Sequence, residues 1–191
     1  MHIQDFVENG ADYAHFAKLH GVMMAVPFFG TTILGIDHQV TWETVPEKGH
    51  QSLFKDYASV TFRGKIIKGS GALAEILIDG CGGIMHFHFS TPIGDIHIIQ
   101  TSTPVAPCLS IWTMQFFSMH TVPRLLARYI CHNWESQAVN DFIIWENKEY
   151  TAKPVLVKGD GPIMQMRRWY QQFYSDSSNF LGATTSHDIA W

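Results

Sequence analysis

The period of hydrophobic and polar positions changes twice along this chain and divides it into three regions. Residues 1–20 carry apolar positions at helical spacing and predict a helix. Residues 38–119 contain short runs in which apolar and polar residues alternate, as in half-buried strands. A helical pattern returns after Pro123 and continues to about residue 150, and a last helix is predicted over 161–174 with a polar tail behind it. This order of elements predicts an α+β domain.

Six strands are predicted in the middle region, separated by turns that contain Gly or Pro. They cover 38–45, 59–67, 72–79, 83–90, 96–102 and 109–119. The segment before them, 21–36, is apolar but interrupted by Gly and Pro, and it therefore predicts a loop. An apolar loop beside a sheet is also a suitable wall for a large hydrophobic ligand.

One predicted strand contains a His-x-His pair. Because side chains alternate across a strand, His86 and His88 point to one face. Phe87 and Phe89 then point to the other face, and His97 is expected to join the histidines from the neighbouring strand. The pattern favours a solvated or cavity-lining face. It also permits a rival metal site of cupin type, although the Gly-rich framing of such a site is missing from the sequence.

Length and composition predict a single globular domain over 1–191. With 46% hydrophobic and 13% aromatic residues, the chain can bury a sizeable core. A net charge of −4 and the scattered Lys and Arg residues argue against nucleic-acid binding. Cys81, Cys108 and Cys131 are widely spaced, which predicts thiols in a reducing, intracellular compartment. No transmembrane segment is predicted, and membrane association of a full-length protein is left open.

The most informative chemistry lies in the first predicted helix, where Glu8, Asp12, His15 and His20 follow one another closely. Two neutral imidazoles and one carboxylate from elsewhere, with coordination positions left open, hold non-haem Fe(II) for reactions with O₂. The motif therefore predicts an iron oxygenase site with His15 and His20 as metal ligands. The alternative is a pair of interior histidines that are satisfied by hydrogen bonds.

The spacing of the two histidines constrains their local structure. A regular α-helix places residues five apart at about 140° from each other, so a break or a π-bulge is needed to bring His15 and His20 together. Asp12 lies three residues before His15 on the same side of the helix. It is expected to accept a hydrogen bond from that imidazole and to stay out of direct contact with the metal. Glu8 is assigned a structural or helix N-terminal role.

The third ligand is not fixed by spacing, because Glu135, Asp141, Glu146 and Asp160 all lie downstream. Asp141 directly precedes the apolar run Phe142-Ile143-Ile144-Trp145. A carboxylate in that position is expected to be partly desolvated and to need a cation.

Residues 2–20, HIQDFVENGADYAHFAKLH, resemble the iron-binding motif of the catalytic domain of Rieske-type non-haem iron oxygenases. Residues 140–148, NDFIIWENK, and 161–174, GPIMQMRRWYQQFY, are similar to the sterol branch, which contains the cholesterol 7-desaturases and the 3-ketosteroid 9-alpha-hydroxylases. The resemblance implies Asp141 as the third iron ligand. It implies a helix-grip (START-like) fold, an antiparallel sheet wrapped on a long C-terminal helix, with the iron motif on an N-terminal helix.

The resemblance also implies the activity, namely C–H abstraction from a sterol or steroid with Fe(II) and O₂. Electrons would come from NAD(P)H through a reductase and from the [2Fe-2S] Rieske cluster of the neighbouring subunit in a homotrimer, with Asp12 as the bridge. Residues 8–12, which follow His2-Ile3-Gln4 after three residues, more closely resemble the cholesterol 7-desaturases, which implies O₂-dependent 7,8-desaturation. The alternatives are 9-alpha-hydroxylase-type oxygenation and a non-catalytic sterol- or lipid-binding module.

A Rieske cluster requires paired Cys-x-His and Cys-x-x-His units. None of the three cysteines has a His two or three residues further on. The chain is therefore expected to be an isolated or truncated catalytic domain, inactive without a Rieske domain from elsewhere.

Overall fold

A computed structural model describes residues 2–26, 31–106, 108–149 and 154–175. Within these ranges the helices are α1 (Ile3–Asn9), α2 (Tyr13–His15), α3 (Arg124–Glu146) and α4 (Ile163–Tyr170), with a π-helical turn at Phe16–His20 and a 3-10 turn at Gln171–Phe173. The strands are β1 (Val22–Val26), β2 (Thr31–Thr44), β3 (Gln51–Phe62), β4 (Lys65–Ile66), β5 (Ala72–Asp79), β6 (Ile84–Thr91), β7 (Gly94–Ala106) and β8 (Leu109–Ser118). Nearly all of the predicted polar tail lies outside the described residues.

All the described strands belong to one antiparallel sheet, so the predicted α+β class is confirmed. The order is β1-β2-β3-β5-β6-β7-β8, and the short β4 pairs with the end of β3. Strands that neighbour each other in the sheet follow each other along the chain, except that β3 is followed by the two-residue strand β4 before β5. Such a meander is built from local connections and leaves one whole face available to the long helix.

Two of the predicted elements are wrong. Much of the predicted loop 21–36 forms β1 and the start of β2, which pair through Val26 and Thr31; positions 27–30 lie outside the described residues. The β-branched residues on either side of this interruption favour strands, and they outweigh Gly21 and Gly35. The predicted strand 59–67 is instead the end of β3, a tight turn at Arg63-Gly64 with both φ angles positive, and β4.

The inner face of the sheet carries the core. Along β5 the buried residues alternate with partly exposed ones, and Ile76 and Ile78 point inward. Helix α3 packs across this face, because the Trp134 ring meets Phe87 edge-on at 4.8 Å between ring centroids and Phe89 at 5.5 Å. The apolar side chains of sheet and helix therefore form one continuous core.

The outer face carries the three histidines that alternation places together. His88 and His97 are partners across β6 and β7, and their rings stack at 4.5 Å between centroids. His86 stacks on His97 at 5.3 Å, while Phe87 is buried on the opposite face. The prediction that these histidines share a face is confirmed.

Helix α1 is joined to α4 by a buried ion pair. Both Glu8 carboxylate oxygens accept hydrogen bonds from Arg167, at 2.8 Å from Nε and 2.7 Å from Nη2, and Lys148 Nζ lies 3.0 Å from Oε1. Burial alone would raise the pKa of Glu8, but the hydrogen bonds and charges of Arg167 and Lys148 outweigh burial and lower it. Glu8 thus has the structural role expected of it, at the C-terminal end of α1 instead of the N-terminal end.

Two further expectations concern cysteines and membranes. No disulfide is present in the described part of the chain, and Cys81, Cys108 and Cys131 all remain thiols. Helix α3 has 23 residues, yet neither it nor any other described helix combines the length and apolar character needed to cross a membrane.

Candidate metal centre

The π-helical turn brings the two motif histidines together. Helix α1 ends before Gly10, and Asp12 is extended (φ −92°, ψ 91°) where α2 begins. The chain then widens into the π-helix Phe16–His20, in which backbone hydrogen bonds join residues five apart. The rings of His15 and His20 consequently lie 5.2 Å apart between centroids. Of the two predicted solutions to the five-residue spacing, the structure contains the π-helical one.

Asp141 on α3 completes a cluster with His15 and His20. The three residues are buried, at 8%, 9% and 6% exposure, and each offers a ligand atom within 4.8 Å of the other two. Among the downstream acids considered from the sequence, Glu135 and Glu146 are exposed. The structure therefore brings Asp141 to the histidines, as the family motif implies.

The protonation of His15 is set by its surroundings. Its Nδ1 lies 2.5 Å from the backbone oxygen of Asp12, and a carbonyl can only accept, so Nδ1 carries the hydrogen. Burial lowers the pKa of His15 to about 4, which keeps the ring neutral at pH 7. The remaining nitrogen, Nε2, then presents a lone pair. It is buried and has no hydrogen-bond partner among the residues described.

His20 is oriented by Gln137, one turn before Asp141 on α3. The Gln137 side-chain oxygen accepts a hydrogen bond from His20 Nδ1, which directs Nε2 toward Asp141 Oδ1 at 3.3 Å. Burial lowers the pKa of His20, but the hydrogen bond and charge of Asp141 outweigh burial and raise it. The space between this imidazole and carboxylate therefore favours a cation, which can be a proton or a metal ion.

Asn9 holds the carboxylate from the other side. Its amide nitrogen donates to Asp141 Oδ2 at 3.1 Å. Asn9 and Gln137 are the site residues that the sequence reasoning missed. A signal for Gln137 was available, because residues four apart on a helix share a face and Asp141 was already a candidate.

Asp12 contacts His15 through its backbone oxygen, where the sequence reasoning expected the side chain. Asp12 lines a second cavity of about 510 Å³, to which His15, Asp141 and Lys148 also contribute. Burial raises the pKa of Asp12. The side chain is thus available for a role other than fixing the imidazole tautomer.

The donor set fits a ferrous ion. Two imidazole nitrogens and one carboxylate oxygen converge. A hydrogen bond to the second ring nitrogen orients each imidazole, and a hydrogen bond to the second oxygen orients the carboxylate. Two histidines and one carboxylate with open positions form the facial triad of non-haem iron proteins. The lone pair on His15 Nε2, which lacks a donor within the described structure, is the observation that most directly calls for a metal ion.

An apolar cavity of about 240 Å³ opens beside His20 and Asp141, between the sheet and α3. Its walls are mostly aromatic and aliphatic side chains, including Phe6, Phe16, Phe54, Ile76, Ile78, Phe87, Phe89 and Trp134. The volume lies just below the range of roughly 300–1,000 Å³ typical of drug-sized ligands. An apolar ligand suits this lining better than a charged one.

The outer-face histidines do not contribute to this site. His88, His97 and Asp95 form a separate, partly exposed group whose ligand atoms also lie within 4.8 Å of one another. Their side chains are on the face opposite Phe87, which lines the cavity. The cupin alternative is therefore not assembled around the cavity, and His15 and His20 form their own cluster with Asp141.

Fold and site together define an α+β protein with a two-histidine, one-carboxylate cluster beside an apolar cavity. The family model described as the 3-ketosteroid 9alpha-hydroxylase C-terminal domain matches residues 1–174. The chain belongs to this family.

Named relatives agree with this assignment. Cholesterol 7-desaturase nvd 1 of Ciona intestinalis is 32% identical over all of this chain and 42% of its own length. Cholesterol 7-desaturase nvd 2 of the same organism is 33% identical over 93% of the chain and 41% of its own length. A probable 3-ketosteroid-9-alpha-monooxygenase oxygenase component of Rhodococcus rhodochrous is 25% identical over 92% of the chain and 44% of its length. The chain spans about two fifths of the length of these curated relatives.

Proposed function

We propose that this chain is the iron-binding catalytic portion of a Rieske-type oxygenase that acts on a sterol, with O₂-dependent 7,8-desaturation of a cholesterol-like sterol as its reaction. The buried cluster of His15, His20 and Asp141 beside an apolar cavity carries the proposal. The names of the more similar relatives support desaturation as the outcome.

Each group in the site has a defined task in this proposal. His15, His20 and Asp141 hold Fe(II), which when bound supplies the oxidising chemistry with O₂. The Asp12 carbonyl and Gln137 keep the hydrogen on Nδ1 of each imidazole, so that both Nε2 atoms face the metal position. The aromatic wall excludes water and orients the ring system of the substrate.

Electrons must come from outside the described site. Desaturation removes two hydrogens from the sterol, so the reduction of O₂ to two waters needs two further electrons and two protons. We assign their supply to a [2Fe-2S] Rieske domain, in the neighbouring subunit of a homotrimer, fed from NAD(P)H by a reductase. Asp12, which lines the second cavity together with His15, is the proposed bridge. A helix-grip architecture, with the sheet curved around α3, belongs to the same proposal.

A second candidate reaction is hydroxylation, in which one oxygen atom of O₂ enters the steroid and the other leaves as water. The description of the matching family and the Rhodococcus rhodochrous relative favour it. Both reactions use the same three ligands, and the product distinguishes them. A third candidate is a non-catalytic lipid-binding module, for which retention of the full ligand set would have no purpose.

Anaerobic reconstitution with Fe(II) tests the proposal directly. We expect one iron per chain, and we expect a cholesterol-like sterol to perturb the Fe(II) spectrum and raise the unfolding temperature. NAD(P)H and a generic reductase should give no product, because no Rieske cluster is present. Peroxide supplies both oxygen and electrons and should give a trace of product that mass spectrometry identifies as desaturated or hydroxylated.

Three outcomes contradict the proposal. Failure to bind iron would leave only the lipid-binding candidate. The absence of any spectral or thermal response to sterols and 3-ketosteroids would exclude the substrate class. Sustained turnover with a reductase alone would show that an external Rieske centre is not required.

A further inference from the structure

A buried polar pair that is not part of the metal cluster lines the apolar cavity. His38 on β2 and Asp56 on β3 are joined between Nδ1 and Oδ2 at 2.6 Å. Both side chains line the apolar cavity and are about nine-tenths buried, with 10% and 9% of their surface exposed. Polar groups in such surroundings are destabilising unless their hydrogen bonds are satisfied, so this pair requires an explanation.

One atom of each residue is left without a hydrogen bond. His38 Nε2 and Asp56 Oδ1 are buried and have no partner in the described part of the molecule. Asp56 Oδ2 accepts the hydrogen of His38 Nδ1 in the tautomer whose Nε2 carries none. Nε2 then presents a lone pair to the cavity. Such an atom accepts a hydrogen bond and cannot donate one.

Phe16 lies next to both this pair and the metal cluster. Its ring centroid lies 5.7 Å from that of His20 and 5.6 Å from that of His38, and the ring stacks on Phe54 at 5.1 Å. The Phe16 ring therefore neighbours both His38 and the candidate ligand His20. A ligand held at His38 by a polar end would present carbon atoms further along its skeleton to the cluster.

We propose that His38 and Asp56 form the subsite that recognises a hydroxyl group of the substrate. Nε2 of His38 accepts the hydroxyl hydrogen, and Asp56 fixes the tautomer that makes this possible. A ketone at the same position has no hydrogen to donate and leaves Nε2 unsatisfied. The inference rests on the proposed function and narrows its substrate class to hydroxysteroids over ketosteroids.

Besides Trp134 and Asp141, Gln100 also has polar atoms in the cavity without partners among the described residues. Its amide oxygen and nitrogen are both buried without hydrogen bonds to described residues. An amide can accept from a hydroxyl and donate to a ketone equally well, so Gln100 cannot discriminate between them. It supplies a matched control within the same cavity.

The experiment measures binding to the full chain, reconstituted anaerobically with Fe(II), through tryptophan fluorescence. The probes are 5α-cholestan-3β-ol, 5α-cholestan-3-one and 5α-cholestane, which share one carbon skeleton. The alcohol should bind roughly five- to fiftyfold more tightly than the ketone, because only the alcohol satisfies Nε2. Gln100→Leu should leave this ratio unchanged.

Two variants test the roles of the pair. His38→Phe should bring the ratio of alcohol to ketone affinity close to one. Asp56→Asn can donate to Nδ1 and move the imidazole hydrogen to Nε2, so the ketone should then bind at least as tightly as the alcohol. Unfolding temperature and iron content verify that each variant is folded. If His38→Phe does not fold, His38→Gln replaces it and should bind alcohol and ketone equally.

The outcomes separate this inference from the proposed function. Equal binding of alcohol and ketone by the wild-type chain, or an unaltered preference in the folded His38 variant, would overturn the subsite while leaving a steroid-binding function intact. An unaltered preference in Asp56→Asn would overturn the role assigned to Asp56. Failure of all three probes to bind would overturn both the subsite and the substrate class.

Discussion

Gln137 and His20 are hydrogen-bonded side chain to side chain although 117 positions separate them in the chain. The contact joins the end of the π-helical turn to the middle of α3. Because Asp141 lies one turn further along the same helix, α3 supplies both a candidate ligand and the group that orients another ligand. The geometry of the metal centre thus depends on how α3 is seated on the sheet.

The orienting role of Gln137 can be measured. Gln137→Leu removes the acceptor for His20 Nδ1, and we expect iron affinity to fall about 10- to 100-fold, as for other groups that orient metal ligands. Gln137→Glu retains an acceptor at the same place and should keep most of the affinity. Equal affinity of the Leu variant and the wild type, in a competitive chelator titration, would exclude this role.

The ligand assignment predicts a stronger loss. His15→Ala, His20→Ala and Asp141→Ala should each abolish stoichiometric iron binding, because each removes one of the protein's ligand atoms. The matched control is His88→Ala, which removes an imidazole from the outer-face group. Iron content after anaerobic reconstitution distinguishes the sites. Wild-type iron content in both histidine ligand variants would show that the assignment is wrong.

Asp12 should affect electron transfer and leave metal binding intact. The His15 imidazole is held by the Asp12 backbone oxygen, so Asp12→Ala and Asp12→Asn should keep most of their iron. In a fusion to a Rieske domain, both variants should transfer electrons far more slowly than the wild-type fusion. An unchanged single-turnover rate would remove the carboxylate from the pathway, and a large loss of iron would give it a structural role.

Asp5 makes stability depend on pH. Burial raises its pKa from 3.8 to about 6, against the opposing effects of Lys148 and the His2 backbone N–H. Between pH 4 and pH 6 the folded state retains a proton that the unfolded state has lost, so this group's contribution to folding stability falls as pH rises. Asp5→Asn removes that dependence, and its stability relative to wild type should rise between pH 4 and pH 7 by about 2–3 kcal/mol.

Urea unfolding at several pH values measures this difference. The control is Asp79→Asn, since 48% of the Asp79 side chain is exposed. A relative stability of Asp5→Asn that stays constant across this pH range would exclude a buried, protonated Asp5.

The buried ion pair between α1 and α4 predicts strongly coupled substitutions. Glu8→Leu alone should destabilise the protein by about 3–5 kcal/mol, because it leaves the Arg167 charge buried beside Lys148 without the carboxylate. Combining Glu8→Leu with Arg167→Met should recover most of this loss. A double-mutant cycle of unfolding free energies gives the coupling, and additive effects would show that the pair contributes little.

The sequence predicted the parts of this molecule that depend on local pattern. Alternation located β5 and β6 and separated His88 from Phe87, because a strand has only two faces. The five-residue spacing of His15 and His20 predicted a departure from the α-helix, since no regular helix aligns them.

Contacts between segments that are far apart in the sequence could not be predicted from such local patterns. Nothing in the spacing of His38 and Asp56 indicates that β2 and β3 place them side by side in a cavity, because a hairpin's register decides it. The pairing of β1 with β2 was missed for a related reason, because Gly and Pro in a sequence predict a loop without revealing that the flanking residues pair.

The three candidate ligands come from distant parts of the chain, two from the first twenty residues and one from position 141. A metal ion bound by all of them would act as a reversible cross-link that closes a loop of more than a hundred residues, and such closures restrict the unfolded chain strongly. Loading with iron should therefore do more than equip the site for chemistry. It should make the N-terminal segment more resistant to proteases, so that iron-depleted cells retain less of the protein.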